Sequence, residues 1–158
     1  MQGCQLKIEG EWKVNMTTIE RKPINIPKEQ SLIVCAIYTC PDGTVLRSSG
    51  GLFASHVDKT DGWHYYIDCT QYYIRSSIPK DKGRLVIITT DDQHEIVREN
   101  VEWTSFGVKG DEPPKRRAIS KLDTEHIRQI IKTQHHIQKQ IKQCFINELQ
   151  YRKENNLE

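Results

Sequence analysis

The chain has 158 residues, 36% of them apolar, a net charge of +2, a pI near 8.2 and a mean hydropathy of −0.67. The length suits one domain spanning 1–158, and the low apolar share predicts that some burial is borrowed from a second subunit. So mild a charge excludes sequence-independent duplex DNA binding, which needs a dominant basic face, and no apolar run approaches a membrane span.

In chain order, "LKIEGEWKVNM" places Leu6, Ile8, Trp12, Val14 and Met16 on one parity, the pattern of a half-buried strand. Two prolines break "RKPINIPKEQ" into an edge or connection. "SLIVCAIYT" is a continuous apolar run, read as a central strand, and "CPDGT" has the chemistry of a hairpin turn returning into "TVLRSS". After Gly50-Gly51 come "LFASHV", the tight turn "DKTDG", the aromatic "WHYYIDC", "QYYIRSSI", the turn "PKDKG" and "RLVIITT". "DDQHEIVREN" leans towards a helical turn, and "VEWTSF" predicts a last strand.

The character changes after Pro114. Leu122 and Ile127 bracket Asp123 as a hydrophobic staple around an N-cap, and Ile127, Ile130 and Ile131 make one apolar helix face. A break near His135-His136 precedes a second helix from about Ile137, with Ile141, Cys144, Phe145 and Leu149 inward. The fold class is therefore α+β. An antiparallel sheet of about six or seven strands (residues 1–114) precedes a C-terminal helical pair (115–158).

Enzyme signatures such as GxGxxG, a P-loop, HExxH or GxSxG are absent. The six histidines show no i, i+4 pair, so no metal site is expected. His56 and Asp58 share the parity of one strand, as an acid/base pair or as plain surface polarity. The five cysteines form no CxxC pair and read as reduced core thiols of a cytosolic protein. Trp63, Tyr65, Tyr66, Tyr72 and Tyr73 crowd into one stretch, and alternation sends some to each sheet face. Those on the outer face suit packing, an oligomer contact or a platform for bases.

Arg75 in "YYIRSS" has the planar fork and neighbouring hydroxyls, Ser76 and Ser77, of a phosphate site, against the plain reading of a surface arginine. Arg47 in "VLRSS" repeats that chemistry and is a second-site candidate. Arg128 and Lys132, one helical turn apart, border the apolar face, where their heads can converge on one anion or simply stay solvated. In "VEWTSFGVKGDEPPKRR", Gly107 and Gly110 permit backbone approach, while Asp111 and Glu112 can accept from ribose hydroxyls or an amino group.

The ordered set "DGTVLRSS", "YYIRSS", "HEIVRE", "WTSFGVKGDEPPK", "LDTEHIRQIIKTQ" and "FINELQYRKE" resembles small phage proteins of the first described family of Thoeris anti-defence sponges, over roughly Ile37 to Glu154. The resemblance implies an antiparallel sheet followed by helices, a homo-oligomer with ligand at subunit interfaces, and no catalysis or cofactor. It also implies sequestration, in the host bacterial cytosol, of the cyclic ADP-ribose isomer gcADPR and, in some members, of CBASS cyclic oligonucleotides. By position, Arg75, Arg128 and Lys132 would hold the pyrophosphate, Trp103 or Phe106 would stack on adenine, and Asp111 would touch ribose or base. Lys132 departs from an expected arginine, and the acids of the loop depart from an expected amide. A different reading of the same surfaces is a phage protein–protein inhibitor or assembly component, with the aromatic strand and helices as interface.

Overall fold

The computed structural model describes residues 4–7, 31–79, 81–82 and 85–158, with backbone pairing alone for Cys4–Lys7. The strand expected over Leu6–Met16 lies outside these residues beyond Lys7, as does the proline-broken connection after it. The chain divides into two compact units, Met1–Asp91 and Asp92–Glu158.

The first unit holds two antiparallel sheets. One is three-stranded, with β2 (Ile33–Thr39) between β3 (Val45–Ser49) and β7 (Leu85–Thr89). The unbroken apolar run of β2 is explained by its place: Ile33 through Ala36 are all buried, because the strand is flanked on both edges and covered. The other sheet has the order β1 (Cys4–Lys7), β6 (Tyr73–Ser76), β5 (His64–Cys69), β4 (Ala54–Val57). Its inward residues Ala54, Tyr65, Ile67, Cys69 and Ile74 share one core with Ile33, Ala36, Tyr38, Leu46 and Leu85. Each such aliphatic side chain contributes about 1.5–3 kcal/mol on burial.

Strict alternation along β5 buries Tyr65, Ile67 and Cys69 and turns His64, Tyr66 and Asp68 to the other face. The turns expected at "CPDGT" and "DKTDG" form, while Lys80 and Gly83 of the turn expected at "PKDKG" lie outside the described residues. In the β2–β3 turn the Cys40 amide donates to the Thr44 carbonyl at 2.8 Å, and Gly43 takes φ +87°, a conformation only glycine adopts without strain.

The second unit begins with α1 (His94–Asn100), the helical turn expected there. A two-stranded ribbon follows, β8 (Glu102–Ser105) against β9 (Lys115–Ala118), then a 3-10 turn (Ile119–Lys121), α2 (Thr124–Thr133) and α3 (Lys139–Glu154). The staple holds, with Leu122 and Ile127 both buried, although Asp123 occupies the N-cap position without a side-chain capping bond. Leu149, expected inward on α3, is only half-buried; Glu148, one position earlier, is fully buried.

The architecture is thus α+β with antiparallel sheets and a C-terminal helix pair, but nine strands are described in three sheets rather than six or seven in one. The unforeseen strand is β9. Its sequence, Lys-Arg-Arg-Ala, carries no apolar periodicity, and its strand state comes from pairing with β8. For the same reason the ribbon belongs with the helices, so the compact units divide at Asp91/Asp92 and not at Pro114.

Candidate functional site

The outward face of the four-stranded sheet carries the richest exposed chemistry of the first unit. Arg75 on β6 stands directly opposite Asp68 on β5. Residues paired this way project from the same face, about 4.5–5.5 Å apart at Cβ. Opposite charges so placed ordinarily form an ion pair. Here neither does so among the described residues. The Arg75 Nη2 instead donates to the Tyr73 hydroxyl at 2.9 Å, and the guanidinium carbon lies 5.2 Å from the centre of that ring. Along β5 from Asp68, Tyr66 stacks on Phe53 with ring centres 5.8 Å apart and planes 28° apart. Phe53 is 54% exposed. The face therefore offers an aromatic pair, a carboxylate, an exposed guanidinium and a phenol side by side.

Ser76 and Ser77 do not serve Arg75. Ser76 is buried. The Ser77 Oγ accepts from the Tyr66 amide at 2.9 Å and donates to the His64 carbonyl at 2.8 Å, which fixes the end of the β5–β6 pairing. The expected hydroxyl partners of a phosphate are thus spent on the sheet. Arg47 is half-buried on β3 and already engaged.

In the second unit Arg128 and Lys132 are both exposed, one turn apart on α2. Arg128 is not idle: its Nη2 donates to Glu158 at 3.2 Å, and its Nη1 stands 3.7 Å from Glu125. An anion arriving there competes with two carboxylates that are themselves exposed and weakly held. Trp103, on β8, is committed elsewhere. Its ring meets Phe145 of α3 edge-on, with centres 5.6 Å apart and planes at 85°. That geometry is core packing, and it leaves Phe106, 50% exposed, as the open aromatic of the two.

Gly107 and Gly110 both take positive φ, +79° and +74°. The loop spends several amides on itself: Gly107 on the Ser105 hydroxyl, Gly110 on the Gly107 carbonyl and Glu112 on the Phe106 carbonyl. Asp111 is exposed at its tip.

Two further polar constellations have structural explanations. His56 and Asp58 are not an acid/base pair. His56 Nε2 lies 2.7 Å from Asp42 Oδ2, while buried Asp58 accepts from the amides of Asp42, Thr60 and Asp61. Asp42 in turn accepts from the amides of Thr44 and Lys59. The His56 bond, then the Lys59 and Thr44 amides, hold the Asp42 carboxyl well below the usual carboxylate range. Two carboxylates so occupied lock the β2–β3 turn to the β4–β5 turn. Cys40, Asp42 and Asp58 each bring one ligand-type atom within 4.8 Å of the others, but the carboxylates are already taken by five backbone amides.

The second constellation is centred on Glu148, fully buried in the second unit. It accepts from Arg98 Nε and Nη2 at 2.8 and 2.7 Å, from His94 Nε2 at 2.8 Å and from Arg152 Nε at 2.8 Å. Burial alone would raise its carboxyl; the bonds from Arg98, His94 and Arg152 outweigh that and hold it well below the usual range. Arg98 also lies over the Tyr151 ring at 4.6 Å. This network ties α1 to α3.

Sequence reasoning passed over Asp68, and noted Tyr73 only as one of the crowded aromatics and not as a partner of Arg75. The signal was available: Tyr73 shares parity with Arg75, and Asp68 with Tyr66. It becomes informative only once the register of β5 against β6 is known.

Comparison of the chain with protein-family models, curated proteins and solved structures found no match. Among the described residues no helix is long and apolar enough to cross a membrane.

Proposed function

We propose that this protein sequesters a cyclic nucleotide immune signal, gcADPR or a related cyclic nucleotide, and holds it chemically intact in the host bacterial cytosol. The observation that carries the reading is the state of Arg75. Its guanidinium is exposed, steadied by Tyr73 and engaged by no carboxylate among the described residues. A planar fork held in this way is prepared for the paired oxygens of a phosphate. Taken by itself, the second unit also exposes cations, Arg128 and Lys132, and an open aromatic ring, Phe106. Several charge-assisted hydrogen bonds at about 1.5–3 kcal/mol each, with a base stack of about 1–3 kcal/mol, give tight capture after the entropic cost of binding. Retention without reaction fits the way His56, Asp42 and Asp58 are used, as turn locks.

The test is recovery. Protein mixed with gcADPR is separated by size, and the protein fraction is heat-denatured and examined by mass spectrometry. Intact gcADPR released in stoichiometric amount supports capture; a hydrolysed product points to an enzyme, and an empty protein fraction refutes the reading.

One observation favours a second reading, a protein–protein inhibitor or assembly component. Phe53, Val57 and Tyr72 stand exposed on or beside the strands of the four-stranded sheet, Tyr72 by 61%. Affinity capture of a host protein that is lost in a Tyr72→Ala/Val57→Ser variant, with no thermal shift from any cyclic nucleotide, would favour it.

A further inference from the structure

We propose that Asp68 reads the ribose of the bound nucleotide, on the same sheet face where Arg75 takes its phosphate. The inference rests on the sequestration reading for the phosphate and adds a specificity-determining residue to it. Asp68 and Arg75 are register partners on neighbouring strands, so their side chains leave the sheet side by side. A carboxylate and a guanidinium this close neutralise each other in most sheets. Here Arg75 turns to the Tyr73 hydroxyl, and Asp68 makes neither an ion pair nor a side-chain hydrogen bond among the described residues.

Two groups of opposite sign, adjacent and not spent on each other, call for a ligand that carries the opposite chemistry in the same order. Arg75 needs an anion. Asp68, a carboxylate and so an acceptor, needs hydrogen-bond donors. A ribose and the phosphate attached to it present hydroxyl donors beside anionic oxygens. Inorganic pyrophosphate and a free base each lack one half. The Phe53–Tyr66 stack lies next along the face from Asp68, where the base of the same nucleotide can lie flat. A carboxylate beside a phosphate is electrostatically unfavourable unless it is repaid by hydroxyls. Asp68 therefore discriminates against bare phosphates as well as selecting ribose.

The experiment measures affinity by calorimetry for gcADPR, ADP and inorganic pyrophosphate, with the wild-type chain, Asp68→Ala and Arg75→Ala. Asp68 is half-exposed and makes no side-chain bond among the described residues, so the variant is expected to melt with the wild type, as circular dichroism will check. Asp68→Ala is expected to bind gcADPR at least tenfold more weakly and pyrophosphate equally or more tightly, whereas Arg75→Ala weakens both. If Asp68→Ala binds gcADPR within twofold of wild type while Arg75→Ala loses it, the ribose assignment falls and sequestration stands. If the wild type ignores gcADPR but binds ADP in an Asp68-dependent way, the assignment stands and the choice of signal falls. No binding of gcADPR or ADP overturns both.

Discussion

Replacing Glu148 by glutamine tests the claim that one buried carboxylate holds the second unit together. Glu148 is isosteric with glutamine, so packing is conserved and only charge and acceptor capacity change. Each of its oxygens receives two donors: Oε1 from Arg98 Nη2 and Arg152 Nε, Oε2 from His94 Nε2 and Arg98 Nε. An amide nitrogen at either place points protons at two donors, and both guanidiniums lose their counter-charge. Arg152 keeps bonds to the Thr124 hydroxyl and to the Ile119 and Ser120 carbonyls, which limits its movement towards water. Breaking a buried pair from one side costs about 3–5 kcal/mol. For a chain of this size that lowers the melting temperature by about 6–20 °C, at about 2–4 °C per kcal/mol. Thermal unfolding followed at 222 nm at pH 7 measures it, with Glu154→Gln, on the exposed side of α3, as the control that changes little. The acid profile gives a second readout. Glu148 is held below its unfolded-state range, so its contribution is complete above about pH 5 and fades as pH falls towards its folded value. Wild-type stability therefore declines on acidification below about pH 5 more steeply than that of Glu148→Gln. A loss under about 1 kcal/mol with parallel acid profiles would refute the account.

Asp58→Ala leaves the amides of Asp42, Thr60 and Asp61 without their acceptor and is expected to cost about 1–3 kcal/mol, read as a lower urea midpoint at unchanged slope. The thiols of Cys40 and Cys144, pushed up by burial to about 11 and about 12, and that of Cys69, also raised by burial, should resist iodoacetamide in the native protein at pH 8. Site-resolved mass spectrometry that finds any of the three labelled before unfolding contradicts their placement. Tyr73→Phe keeps the ring under Arg75 but removes the 2.9 Å hydrogen bond; gcADPR affinity should fall about three- to tenfold by calorimetry, against a larger loss for Arg75→Ala. Equal affinity of Tyr73→Phe and wild type would show that the phenol does not position the guanidinium.

The elements were largely legible because their causes are local. The parity of "WHYYIDC", the apolar run of β2, the Asp-Gly turn and the staple around Asp123 each depend on residues within a few positions of one another. What escaped depends on pairing at a distance. Nothing inside Lys-Arg-Arg-Ala marks a strand; β8 makes it one. Nothing around Leu149 shows that Glu148, charged, would take the buried place beside it. That choice needs Arg98 from α1, 50 residues away in sequence. Arg75 was picked out for its fork and its serines. The fork is exposed as expected, but the serines belong to the sheet, and the partners that matter, Tyr73 and Asp68, are set by strand alternation and by the β5–β6 register.

The arginines of this chain are treated in two ways, and the contrast bears on function. Arg152 is buried and Arg98 half-buried in the second unit, and both are met by Glu148 with near-ideal bonds. Leaving such a charge unpaired in the interior would be prohibitive. Arg75 lies in water, where pairing it with Asp68 would be cheap and is sterically at hand, yet its head is held by a neutral phenol. A neutral hydroxyl orients the guanidinium without cancelling its charge, so an incoming anion displaces no carboxylate among the described residues. A carboxylate partner would have to be broken away first, as Glu158 would at Arg128. If the chain captures an anion as proposed, Arg75 is expected to contribute more than Arg128, and single alanine variants at the two positions, compared at equal ionic strength, should rank in that order.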